Sequence, residues 1–352
     1  MSNDSSHGLP PVMPRTVPEG VVPLVAVEGD ARECGRTYAS IVKEKYPGYR
    51  RYLDPAYSWN KGLSPDAKKL FDKYAPHIPE VFQGIAEVGG PPESAPTAEG
   101  NAGCTSFGVS GSVTLDGHPV SGQTKDTPIK SAEQYIVLRM RIAGAPAILT
   151  LAYPGEVMGY GFWSTGTSIF RNSLFSEKGG ESGLDREQWG YLALAMTSVH
   201  EAAEVAREYG MRSAGNCLIS DGDGESLSVE YNVGGVGIVH AKEGIATHAN
   251  HPEGAETAPH EHYEYDEERQ NSRYRMHGLW VMIDKERGRF TAQKAMQLMA
   301  DHTHYPLGIC RHMANRSARI GTTAAVVAEP TRGKLHVTRS NPCCNWPVTY
   351  EM

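Results

Sequence analysis

The 352-residue sequence has no apolar run approaching the ~18–20 residues that a membrane helix needs, so a membrane-spanning protein is not expected. No basic stripe accompanies its 34 Lys and Arg, which are outnumbered by 41 Asp and Glu, and a nucleic-acid partner is not expected either. Met1 to Gly20 is polar and Pro-rich and lacks the charged-then-apolar profile of a signal peptide, so the chain reads as cytoplasmic. Six cysteines are too few for a disulfide framework, and none has CxxC spacing. In a reducing compartment they are free thiols, and no metal site is expected from them. Internal repeats are absent. What remains, 39% hydrophobic and 21% charged, suits a globular protein with a sizeable core.

The first hundred residues carry helix signals. Asp30 is a good N-cap, with Glu33 three positions on, for a helix running through Tyr38, Ile41 and Val42 towards Tyr46. Ser64-Pro65 opens a second helix with Leu70, Phe71 and Tyr74 as its apolar face. Pro76 and Pro79 are expected to interrupt it, leaving a further turn over Val81 to Val88 that ends at Gly89-Gly90. A Pro/Ala/Gly-rich linker, Pro91 to Ala102, then marks the clearest boundary of the chain and a segment able to accommodate a cut.

Beyond the linker the texture is that of strands. Cys104 to Ser110 and His118 to Gln123 flank Asp116-Gly117, a strong hairpin signal. Tyr135 to Ile142, Ala147 to Tyr153, Thr167 to Asn172, Asn216 to Ser220, Ser226 to Asn232 and Gly237 to Ala241 follow, with Thr322 to Ala328 and Lys334 to Thr338 near the end. Between them the spacing predicts one long helix over Asp185 to Tyr209, another over Glu264 to Lys285 and a third over Thr291 to Asp301. Strand groups separated by helices predict an α+β sandwich with largely antiparallel sheets.

Gly103-Cys104-Thr105-Ser106-Phe107 is the stretch that carries chemistry. If the Gly103–Cys104 bond is cut, Cys104 holds a thiol and a free α-amine, a nucleophile with its own base. An isolated Gly-Cys reads first as a structural Cys starting a core strand.

Four stretches in order resemble the acyl-CoA:6-aminopenicillanate acyltransferase family of self-processing enzymes. They are Gly103-Cys104-Thr105-Ser106, Ser121-Gly122-Gln123-Thr124-Lys125-Asp126, Thr247-His248-Ala249-Asn250-His251 and Tyr305-Pro306-Leu307-Gly308-Ile309-Cys310-Arg311. The resemblance implies an N-terminal-nucleophile αββα fold, two stacked antiparallel sheets between helical layers. It implies cleavage before Cys104 and one composite domain. Residues 1–28 would be an extended arm, 29–103 the α fragment and 104–352 the β fragment of the same precursor.

Under that resemblance Cys104 is nucleophile and base, Asn250 the oxyanion donor, and Asp126 and Arg311 the charged site residues. Asp126 would hold the α-amine or Thr105. Thr105, Phe107, Tyr153, Trp163 and Asn172 are candidate pocket residues, the last four reading first as ordinary core. The substrate is a small acyl amide or thioester. No cofactor is required, an acyl-CoA counting as substrate, and a homo-oligomer is compatible with the sequence. Water as acceptor makes the protein a hydrolase, and an amine makes it an acyltransferase. Thr124-Lys125 replaces the family's Asn-Trp, and Ala102 replaces a common Asp, departures that argue against a penicillin substrate.

Two other readings compete. His248, His251, His260 and His262, with Glu261, Glu264 and Asp266, are zinc-ligand types, although HExxH is absent. A non-catalytic binding protein on the same fold is the second.

Overall fold

Asp30 and Ser64 do what their positions suggest. In a computed structural model that describes residues 20–47, 63–89, 103–312 and 320–352, each caps a helix. Asp30 accepts the Glu33 N–H at 2.7 Å and opens α1 (Ala31–Lys45). Ser64 accepts the Ala67 N–H at 3.1 Å and opens α2 (Pro65–Tyr74) with Pro65 in its first turn. The third helix, α3, is longer than its sequence suggested, His77–Gly89 rather than a turn from Val81. Pro79 lies in the first turn, where its missing N–H has no partner to lose. Gly35 and Gly84 let α1 and α3 touch backbone to backbone. A Cβ on Gly35 would run into the Val81 carbonyl, and one on Gly84 into that of Arg32. The linker expected over 91–102 and most of the arm expected over 1–28 lie outside the described residues. The end of that arm forms strand β1 (Leu24–Gly29).

The following strands are β2 (Cys104–Val109), β3 (Val120–Pro128), β4 (Ile136–Ile142), β5 (Ile148–Ala152), β6 (Tyr160–Trp163) and β7 (Ser168–Asn172). The single helix expected over Asp185 to Tyr209 is two, α4 (Arg186–Ala195) and α5 (Val199–Tyr209). Met196 turns into the β region, and Ser198 restarts the chain by accepting the Glu201 N–H. Next come β8 (Gly215–Ser220), β9 (Ser226–Asn232), β10 (Gly235–His240) and β11 (Ile245–His248). Helices α6 (Asp266–Lys285) and α7 (Ala292–Met299) lead to β12 (Ile320–Glu329), β13 (Lys334–Arg339) and β14 (Val348–Glu351).

One sheet has eight strands in the order β1-β4-β5-β6-β7-β8-β9-β10, and the other six in the order β11-β2-β3-β12-β13-β14. The β1–β4 pair is parallel, and the remaining pairs are antiparallel.

Three apolar clusters define four layers. Tyr38, Phe71, Ile78, Trp189 and Val205 of helices α1 to α5 pack on the outer face of the eight-stranded sheet. Val137, Leu149, Phe162 and Phe170 of that sheet meet Ala324, Val326, Leu335 and Val337 of the other across the middle. Leu279, Ile283, Ala295 and Met299 of α6 and α7 cover the outer face of the six-stranded sheet against Phe107 and Val109. This is the αββα sandwich that the sequence leads one to expect. Among the described residues no helix is long and apolar enough to cross a membrane.

Candidate active site

Cys104 is the first residue of β2, inside the six-stranded sheet between β11 and β3. The period-two alternation of a strand sends Cys104 and Ser106 to the face opposite Thr105 and Phe107. Cys104 and Ser106 therefore look between the sheets, where Ser106 Oγ donates to Asn172 Oδ1 at 2.9 Å. Thr105 faces helix α6. On β3, Lys125 pairs with Cys104, and Asp126 falls on the other side of the strand.

The peptide group before Cys104 is held at each polar atom. The Asp126 N–H donates to the Gly103 carbonyl at 2.9 Å. The Cys104 N–H donates to Asn250 Oδ1 at 3.2 Å. The Cys104 carbonyl accepts from Arg275 Nη1 at 2.7 Å and Asn172 Nδ2 at 3.3 Å. Arg275 also reaches Thr105 Oγ1 at 2.6 Å, Asn250 Oδ1 at 2.7 Å and Asn271 Oδ1 at 2.8 Å. Because a guanidinium only donates, its bond to Asn250 fixes which end of that amide is oxygen. The nitrogen of the same amide gives one hydrogen to the Ser173 carbonyl at 2.9 Å and has a second.

Asn250 reaches this point because its loop is tied down. Glu230, fully buried on β9, accepts from His248 Nε2 at 2.6 Å and from the Glu253 and Gly254 N–H groups at 2.9 and 2.8 Å. Burial works against that carboxylate's charge, but the His248 and Thr257 bonds outweigh it and hold Glu230 below the usual range. The Asn250 N–H donates to Ser272 Oγ of α6 at 2.8 Å.

Asp126 is fully buried and accepts from Thr322 Oγ1 at 2.7 Å. Thr322 sits where β12 bulges against β3, an irregularity that re-aims side chains beside a site. Burial raises the Asp126 carboxyl above its ordinary value, against the fields of Arg275 and Arg311. Gly103 closes on the same spot. A Cβ there would stand 3.0 Å from Asp126 Oδ2 and 3.1 Å from Arg311 Nη1. A cavity of about 30 Å³ beside Gly103, lined also by Asn271, Arg275, Leu307 and Arg311, has room for one water.

On the thiol side, burial pushes the Cys104 thiol up, Lys125 pulls it down and Asp126 adds to the rise. Lys125 is itself buried, its Nζ 3.6 Å from the Tyr160 ring centroid and 5.7 Å from that of Tyr153. Burial opposes its charge, but Tyr160 and Tyr153 more than compensate, and the ammonium is held above its ordinary value. Arg171 stacks on Tyr160 at 4.3 Å and pairs with Glu156 at 2.5 Å.

The fold thus brings together Gly103, Cys104, Thr105, Asp126, Asn172, Asn250 and Arg311. Tyr153 lies at the edge, behind Lys125. Phe107 and Trp163 are corrections. Phe107 packs edge-to-face on Phe290 under α6 and α7, and Trp163 lies in the cluster beneath α1 to α5. Each is turned away from the thiol by strand alternation. The His248 to His262 group does not converge as metal ligands. His248 is bound to Glu230, His251 Nδ1 to Ser272 Oγ at 2.9 Å, and His260 faces Glu177 at 3.5 Å.

Arg275 was missed by sequence reading. Its signal is an apolar stripe with polar residues in it. Asn271, Arg275, Leu279 and Ile283, four apart on α6, are all buried. A polar residue on such a stripe has to find a partner inside.

The sequence pattern of the acyl-coenzyme A:6-aminopenicillanic acid acyl-transferase family matches residues 113–343, and the chain belongs to that family. The match includes Asp126, Asn250 and Arg311 and starts after Cys104. Among solved structures, a mutant of conjugated bile acid hydrolase from Clostridium perfringens is 11% identical with a TM-score of 0.45, over 71% of this chain and 97% of its own. Penicillin V acylase from Agrobacterium tumefaciens is 10% identical with a TM-score of 0.38, over 73% of this chain and 81% of its own.

Proposed function

We propose that this acyltransferase-family enzyme cuts its own Gly103–Cys104 bond and then uses Cys104 as an N-terminal nucleophile on a small acyl amide or thioester. The observation that carries the reading is the peptide group before Cys104, whose carbonyl and nitrogen are gripped by Asp126 and Asn250. A merely structural Cys at a strand start has no need of a distant loop amide and a buried Arg around its backbone.

In the first reaction the Cys104 sulfur attacks the Gly103 carbonyl carbon. The Asp126 N–H faces the oxygen that becomes negative. The C–N bond breaks, the leaving amine takes the proton that the thiol gives up, and the acyl group is left as a thioester. Water, for which the cavity beside Gly103 has room, hydrolyses it to the Gly103 carboxylate and the free thiol. Gly103 suits the step because a Cβ there would crowd Asp126 Oδ2 and Arg311 Nη1 beside its carbonyl.

In the second reaction the buried thiol needs a base, since burial keeps it protonated. The new α-amine, with an ordinary pKa near ~7.7–8, supplies it and later returns the proton to the leaving group. Asn250 Oδ1 holds one amine N–H, and the second Nδ2 hydrogen of the same side chain is the oxyanion donor. Arg275 fixes Asn250, and Arg311 balances Asp126. Lys125 beside the sulfur favours the thiolate. Water or an amine then resolves the acyl-enzyme. The Lys125 cation under Tyr160 favours an acyl group with a polar or anionic end. The residues upstream and downstream of the cut form one composite domain.

Intact mass spectrometry tests the reading. Wild type should appear as two fragments, the second beginning Cys-Thr-Ser, and Cys104→Ala as one uncut, inactive chain. A Cys104→Ala protein that still matures and turns over acyl amides sinks it.

A further inference from the structure

Outside the active site, four soft-metal ligands converge. His302, Cys310, His312 and Cys343 bring one donor atom each to within 4.8 Å of one another. His312 Nε2 is the hub, 3.0 Å from His302 Nε2, 3.5 Å from Cys343 Sγ and 3.7 Å from Cys310 Sγ. Bonds of ~2.0–2.1 Å to nitrogen and ~2.3 Å to sulfur at tetrahedral angles put ligand atoms roughly 3.3–3.8 Å apart. The cluster is near that spacing already. His312 Nε2 has one hydrogen-bonding position, a lone pair or an N–H, for three neighbours, so this grouping is poorly explained by hydrogen bonding alone.

We propose that these four residues bind one Zn2+ as a closed structural site. Two thiolates neutralise the ion, and the two imidazoles complete the tetrahedron. Two Cys protons leave to solvent on binding. Two sulfurs and two nitrogens favour zinc over Mg2+ or Ca2+, which take oxygen ligands. No ligand position is left open, so the ion is not a catalyst. The outer partners suit the role. Asn341 Nδ2 lies 3.4 Å from Cys310 Sγ, where it supports a thiolate, and donates to the Arg311 carbonyl at 2.8 Å. Tyr305 packs against both His302 and His312. Arg311 lies between two of the ligands, so the ion would staple the 301–312 loop to the turn at 341–345 and hold Arg311 over Asp126. The spacing hides the site. Its ligands come from three separated stretches, with no CxxC among them.

The test is metal content of protein purified without chelator, as wild type and as Cys104→Ala, so that the reading does not depend on self-cleavage. About one zinc per chain is expected in both. Co2+ exchanged into the site should give a thiolate-to-metal charge-transfer band and tetrahedral d–d absorption. The His302→Ala/Cys343→Ser double variant should lose the zinc while keeping its far-UV circular dichroism. If that variant misfolds, the Co2+ spectrum of wild type decides. Protein that neither carries zinc nor takes up Co2+ overturns the proposal. So does metal retained by a folded double variant, or a Cys310–Cys343 disulfide in the mass spectrum.

Discussion

Three residues around Cys104 bear on how it behaves. Arg275 is the least expendable, because it joins the Cys104 carbonyl, Thr105 and Asn250 from one buried guanidinium. Arg275→Met removes those donors and leaves their acceptors unsatisfied. We expect self-cleavage and turnover to fall by about 10²-fold or more, the scale of losing an oxyanion donor. A cleavage time course on the variant checks it, and normal maturation would show that Arg275 is only packing. Gly103→Ala should slow cleavage without abolishing folding, since the added methyl meets side-chain ends and not backbone. Lys125 acts on the sulfur. Lys125→Met keeps the length and removes the charge that pulls the thiol down. Alkylation of Cys104 at fixed neutral pH should become several-fold slower, and an unchanged alkylation–pH profile would remove Lys125 from the account.

Helix α3 carries its own pH dependence. His77 begins it with its ring 5.4 Å from Trp163, and burial lowers its pKa to about 4. The unfolded chain takes up that proton near the ordinary ~6.5. Between these two values the unfolded state binds the proton and the folded state does not. Stability should therefore fall as pH drops from about 6.5 towards 4 and level off below. His77→Gln should flatten that part of the Tm–pH curve, and an equally steep curve would place the acid sensitivity elsewhere. Element ends also explain where the sequence misleads. The α4–α5 break at Met196 to Ser198 is a tertiary decision, because Asp221 Oδ2 accepts the Val199 N–H at 3.2 Å and adds a cap from a distant turn. Short strands such as β6 and β11 have too few residues to show a period.

For the whole molecule, the proposed cut would have to leave one body. β1 is paired along its length with β4, and Tyr38 of α1 donates to the Glu156 carbonyl at 2.9 Å and accepts the Gly155 N–H at 2.8 Å. Tyr38, Val42, Phe71 and Ile85 are wholly buried in the same cluster as Ile136, Trp163 and Trp189. The two fragments should co-elute under native conditions and separate only in denaturant. Separation in mild buffer would contradict this. Phe170→Ala, in the layer between the sheets, should lower stability by about 3–5 kcal/mol in denaturant titration, as core aromatic truncations do.

The sequence by itself determined the layers and pointed to Cys104. Caps, apolar periodicity and the Asp116-Gly117 hairpin are local, and a Gly-Cys after a Pro-rich linker is visible as a string. The four ordered motifs brought Asp126, Asn250 and Arg311 into view through family likeness. Only the tertiary structure decided which of them meet and what else joins them. Arg275 stands 171 positions from the Cys104 carbonyl it binds. His302 and Cys343 approach only because β12 and β13 carry the chain back beside the 301–312 loop. Strand alternation turned Phe107 to the helices and Cys104 to the space between the sheets. Contacts between distant segments depend on register and layer packing, which no local pattern encodes.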